Sequence, residues 1–135
     1  MQISRLSAAD ALRYRSLMLH AYEAAADAFT STAEERASEP VSWWVKRIAD
    51  PVELSLSFGA FDGEDLVGTV TVEFSAKPKT KHKALIIGIF VRECARGKGI
   101  GRALVRSGLE AAASRSDVQV VTLTATEGNR PALSL

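Results

Sequence analysis

Residues 84–91 are apolar almost throughout, residues 99–114 follow with helical spacing, and only a glycine-rich basic loop separates the two. An apolar run of that kind suits a central strand covered on both faces. In the helix, Ile100, Leu104, Val105, Leu109 and Ala112 are expected to point inward, with Gly108 allowing a close approach to the sheet. Residues 118–125 read as the next strand. Strand, helix and strand in that order make a β-α-β unit whose two strands run parallel.

The loop inside that unit, Arg96-Gly97-Lys98-Gly99-Ile100-Gly101-Arg102, has the make-up of a diphosphate cradle. Glycines at 97, 99 and 101 clear side chains from the turn, so successive amides at the helix start can point at an anion, helped by the positive end of the helix dipole. Arg96, Lys98 and Arg102 add mobile positive charge around it. Two better-known glycine loops do not fit. A dinucleotide fingerprint would need glycine where Arg102 or Leu104 stands, and a Walker loop would need glycine at Arg92 and Ser or Thr at Gly99.

The pattern that fits is R/Q-x-x-G-x-G/A, read as Arg96-Gly97-Lys98-Gly99-Ile100-Gly101, which resembles the coenzyme A motif of the GNAT family of N-acetyltransferases. Upstream, Ile89-Phe90-Val91-Arg92-Glu93 is similar to the family's fourth strand. Downstream, Asn129-Arg130-Pro131-Ala132-Leu133-Ser134-Leu135 is similar to its N-x-x-A-x-x-L segment. The resemblance covers nearly the whole chain, so residues 1–135 are taken as a single domain. It implies an α/β (α+β) acyltransferase fold, with a mixed central sheet and flanking helices. It also implies acetyl-CoA as the cofactor, no metal, and direct transfer of the acetyl group to a primary amine of a small molecule or peptide. By the same resemblance, Phe90 and Val91 on a bulged fourth strand would offer backbone N–H groups to the developing oxyanion, residues 96–102 would hold the diphosphate, and Asn129 would meet the cofactor from the far side.

A lysine-like amine is neutral in only about one molecule in several thousand at pH 7, so a base, or a water chain leading to one, is required. Some members of the family place a Glu in the fourth strand, but no acid occurs from Lys83 through Arg92. Glu73, on the polar face of the third strand, is the first candidate base and Glu127, at the end of the fifth, the second. Either also reads as a plain solvated carboxylate. Tyr22 and His20, on the first long helix, are in reach of the acceptor cleft or fill its rim, and His82 falls in a lysine-rich turn. In the family the C-terminal segment continues into a Tyr that protonates the leaving thiolate, then into a helix and two strands. Here the sequence stops at Leu135. The expectation is therefore a truncated chain, missing the C-terminal helix and last strands, or else a naturally short member that borrows a partner's surface; either leaves an uncovered sheet edge that favours a homodimer. The alternative is a GNAT-like module that holds coenzyme A without turnover.

The rest of the chain fits a single layered domain. Residues 2–6 suggest a short strand, and Ser7 with Asp10 a capping box ahead of a helix whose apolar stripe is Leu12, Leu17, Met18, Ala21, Tyr22 and Ala25. Ser31 with Glu34 suggests another helix start. Pro40 precedes a short helix carrying Trp43, Trp44, Val45 and Ile48. Residues 54–61 and 66–74 flank Asp62-Gly63-Glu64-Asp65, a hairpin signal, and Val70, Val72 and Phe74 alternate with Thr69, Thr71 and Glu73, giving one buried and one polar face. Lys77, Lys79, Lys81 and Lys83 read as a solvated hairpin. A formal charge of +1 gives no support for nucleic-acid binding. No apolar run reaches the length of a signal peptide or a membrane span, and the single cysteine, Cys94, cannot form an internal disulfide. A cytoplasmic protein is expected, with Cys94 as a small packing residue.

Overall fold

The computed structural model describes residues 2–24 and 32–123. Strands β1 (Gln2–Arg5), β2 (Ser55–Asp62), β3 (Asp65–Phe74), β4 (Lys83–Val91) and β5 (Val120–Leu123) form one sheet in that order. The first four pair antiparallel in chain order, the expected β2–β3 hairpin among them, and β5 runs parallel to β4, as expected, with Lys83 opposite Val120 and Ile86 opposite Leu123. Gly63 turns the β2–β3 hairpin with φ +63°, the left-handed conformation that a type II′ loop asks of its first residue.

Helices α1 (Ala11–Ala24), α2 (Ala33–Ala37) and α3 (Val41–Ile48) lie on one side of the sheet, and α4 (Ile100–Ala113) packs on the other. A 3₁₀ turn, Ala8–Asp10, leads into α1, and the Ser7 amide donates to the Asp10 carboxylate at 2.9 Å, closing the expected capping box. Leu12, however, is 67% exposed, and Tyr14 takes the inward position with Leu17, Met18, Ala21 and Tyr22. The buried stripe runs through Ala11, Tyr14, Leu17, Met18, Ala21 and Tyr22 at helical spacing, and Leu12 lies off it. The cap of α2 is Thr32, whose hydroxyl accepts from the Glu35 amide at 3.1 Å, one residue on from the expected Ser31 and Glu34. Pro40 stands directly before α3, and Asp50 closes the turn after it by accepting from the amides of Val52 and Leu54.

Two further expectations change. On α4, Leu109 is exposed and Gly108 is buried in its stead, where a Cβ would lie 3.2 Å from Val72 Cγ2 and 3.4 Å from Ile86 Cδ1. The helix therefore rides on its glycine, and the bulkier neighbour is turned to solvent. The polar face of β3 is also buried, because α1 and α3 cover it: Thr69 and Thr71 are both fully inaccessible. Their hydroxyls are satisfied internally, Thr69 donating to the Phe58 carbonyl at 3.0 Å and Thr71 sharing a hydrogen bond with Ser57 at 2.7 Å.

The β3–β4 ladder carries one bulge. Thr69 faces Phe90 and Thr71 faces Ile87, so two steps on β3 oppose three on β4, and Gly88 sits there with φ +63°. The extra residue reverses the alternation. Ala84 and Ile86 below it join the α4-side core, and so do Ile89 and Val91 above it, while Phe90 joins the core under α1 and α3.

Candidate functional site

β4 ends at Val91, a 3₁₀ turn (Glu93–Ala95) follows, and residues 96–99 carry the chain into α4. Gly97 and Gly99 adopt φ +81° and +77°, which L side chains avoid, and a Cβ added to either would meet nothing within 4 Å. The glycines thus line open space. Among the described residues, no main-chain carbonyl accepts from the amides of Gly97, Lys98, Gly99, Ile100 or Gly101; the first bond of the helix runs from the Ala103 amide to the Gly99 carbonyl at 3.1 Å. A cavity of about 490 Å³ opens over these amides, bordered by Val91, Ala95 and Arg96. Unsatisfied donors, a positive helix end and an empty concavity meet the requirements of a bound diphosphate. Lys98 and Arg102 are exposed beside it. Arg96 folds back on the strand end: its Nε donates to the Val91 carbonyl at 2.9 Å and its guanidinium lies 5.7 Å from the Phe90 ring centre.

The strand above the loop presents its main chain unevenly. The Arg92 amide donates to the Val67 carbonyl on β3 at 2.8 Å, so by strand alternation Val91 turns its amide away from β3 and Phe90 turns its own toward it. Val91 therefore offers a donor on the side of the loop cavity. Phe90 contributes a fully buried ring, edge-on to His20 at 5.8 Å.

On the α1 and α3 side, a polar network starts at the bulge. The Thr71 hydroxyl lies 3.7 Å from where a Cβ on Gly88 would stand, 2.7 Å from Ser57 Oγ and 3.5 Å from the Tyr14 hydroxyl. Arg47 Nε donates to that Tyr14 hydroxyl at 3.0 Å. Burial opposes the charge on Arg47, but Tyr14, Tyr22 and Glu73 outweigh it and raise its pKa. Tyr22, buried at the end of α1, is raised by burial first and by Tyr14 second. Glu73 is half-buried, facing Leu85 across the β3–β4 ladder. His20 Nε2 lies 3.3 Å from Glu93 Oε2, and Glu93 is held below the usual carboxylate range by its own amide and then by His20.

The profile of the acetyltransferase (GNAT) family matches residues 18–135. The chain belongs to the GNAT family. No curated protein matches it. Among solved structures, this GNAT chain is similar to a ribosomal-protein-alanine N-acetyltransferase from Brucella melitensis biovar Abortus 2308, at TM-score 0.70 and 22% identity over 98% of this chain and 86% of that one. It is also similar to a "predicted acetyltransferase with acetyl-CoA" from Clostridium acetobutylicum, at TM-score 0.75 and 17% identity over 97% and 84%. A third is an aminoglycoside acetyltransferase from an uncultured soil metagenomic sample, at TM-score 0.76 and 18% identity over 98% and 86%. At these identities the shared property is the fold.

In this GNAT chain the expected cofactor residues Val91, Arg96, Gly97, Gly99, Ile100, Gly101 and Arg102 gather around one cavity. Glu73 does not join them. It stands four residues along β3 from Thr69, the partner of Phe90, a separation of roughly 13 Å by strand rise. Glu127 and Asn129 lie outside the described residues. Cys94 is exposed rather than packed, because the 3₁₀ turn presents it to solvent beside Arg92. The Tyr14–Arg47 pair was not read from the sequence; the spacing of Tyr14 with Leu17, Met18 and Ala21 was the available signal for its burial.

Proposed function

We propose that this GNAT chain transfers an acetyl group from acetyl-CoA directly to a primary amine of a small molecule or peptide, with no covalent intermediate on the protein. The row of unsatisfied amides from Gly97 to Gly101 over an open cavity carries the reading. Those amides would hold the diphosphate, with Lys98 and Arg102 adding charge, and the outward Val91 amide and Arg96, bonded to the Val91 carbonyl, would steer the arm beyond it. Asn129 would meet the cofactor from the other side. Bound acetyl-CoA supplies an activated thioester. Glu73 is the proposed base, taking the amine proton through water across the gap along β3, and its charge is felt at Arg47. Peptide and small-molecule acceptors are both in keeping with the names of neighbours in the fold. The same reading has the enzyme act in the cytoplasm as a homodimer.

The test is calorimetry with coenzyme A together with thiol release over a panel of amines. Binding with amine-dependent turnover is expected. Binding without turnover on any amine would favour a coenzyme A-holding module, and no binding would remove the reading altogether.

A further inference from the structure

We infer that Arg47 is the anion-binding half of the acceptor site, so that the amine acetylated here carries a carboxylate close to its nitrogen. The inference rests on the acetyl-transfer reading above and adds the chemical class of the acceptor. Arg47 is linked toward the bulge of β4 in steps: Thr71 pairs with Ile87 next to Gly88, the Thr71 hydroxyl lies 3.5 Å from that of Tyr14, and the Tyr14 hydroxyl accepts from Arg47 Nε at 3.0 Å. The guanidinium lies 5.7 Å from the Trp43 ring centre, and that of Arg36 lies 4.7 Å from the same ring. One nitrogen of Arg47 is thereby engaged by Tyr14, and the guanidinium lies over the Trp43 ring.

Among the described residues, neither terminal amino group of Arg47 makes a hydrogen bond, and no carboxylate forms an ion pair with it. The half-buried guanidinium thus keeps donors that an anion can meet with charge-assisted hydrogen bonds to the planar fork. Glu73 is near enough to act on Arg47 electrostatically without closing a salt bridge, so a positive and a negative group share this face. Such a pair complements a zwitterion, with the carboxylate on Arg47 and the ammonium led toward Glu73. It also works against polycationic amines, which would meet Arg47 and Arg36 with like charge.

The experiment compares free amino acids with their C-terminal amides as acceptors, alongside the polycation kanamycin, and follows thiol release and the ¹⁵Nε resonance of Arg47. With one charge-assisted contact at stake, kcat/KM for an acid should exceed that for its amide by roughly 10- to 100-fold. Arg47→Gln should bring that ratio near one, chiefly through KM, while calorimetry shows unchanged affinity for coenzyme A. Arg47→Lys, which keeps the charge but not the fork, should restore part of the ratio, and thermal melts check that both variants fold. The Arg47 resonance should move on adding an accepted amino acid and stay still with its amide. Amides or kanamycin serving as well as the acids, a ratio that survives Arg47→Gln, or a coenzyme A-binding protein on which no amino acid shifts Arg47 would each overturn the proposal. Loss of coenzyme A binding in the unaltered chain would instead defeat the acetyl-transfer reading beneath it.

Discussion

At the scale of single residues, the loop glycines and the helix stripes make separable predictions. Gly101→Asp puts a negative charge on the first turn of α4, where the positive helix end and the bare amides favour an anion. It should weaken coenzyme A binding at least about tenfold, the equivalent of about 1.4 kcal/mol, with little change in the melting temperature. Leu12 and Leu17 stand on the same helix but differ in environment, the first 67% exposed and the second fully buried. Leu17→Ala should cost about 2–5 kcal/mol in denaturant unfolding, and Leu12→Ala less than about 0.5 kcal/mol. Equal effects would contradict the placement of Leu12 off the buried stripe of α1. Tyr14 shows why such a residue hides in a sequence: its hydroxyl partners, Thr71 and Arg47, are 57 and 33 residues away.

At the scale of elements, two contacts set how helices meet the sheet. Gly108 lets α4 rest on Val72 and Ile86, so Gly108→Val should lift the helix and destabilise the fold by roughly 1–3 kcal/mol, readable as a lower urea midpoint. The second contact is His20 with Glu93, which ties α1 to the turn after β4. Glu93 has a lowered pKa in the folded chain, so its contribution to stability is present above the ordinary carboxylate value of 4.5 and is lost as pH falls below that, through the lowered folded value. Glu93→Gln should remove that part of the acid dependence of the melting temperature. An unchanged profile below pH 5 would show that the pair does not couple the two elements.

For the molecule as a whole, what could be read ahead was whatever repeats within one element or sits in one turn. The apolar strand, the amphipathic helix and the glycine loop between them carry their signals locally, and the parallel β4–β5 pairing followed from their order. The Asp62-Gly63 turn was equally plain. Thr69 and Thr71 misled because a polar letter at alternate positions signals a solvent face only when nothing covers it, and here α1 and α3 do. Gly88 inside an apolar strand was the visible mark of the bulge, but which main-chain donors it frees depends on the register with β3. The proposed acceptor face was least legible, since Tyr14, Arg47, Thr71 and Glu73 come from three elements and are brought near one another only in the folded chain. All of this converges on the loop at the start of α4. Titration of coenzyme A into the purified chain, followed calorimetrically for the unaltered protein and for Gly101→Asp, tests it most directly: saturable binding to the first and a marked loss in the second is the predicted result, and absent binding, or equal binding to both, would contradict it.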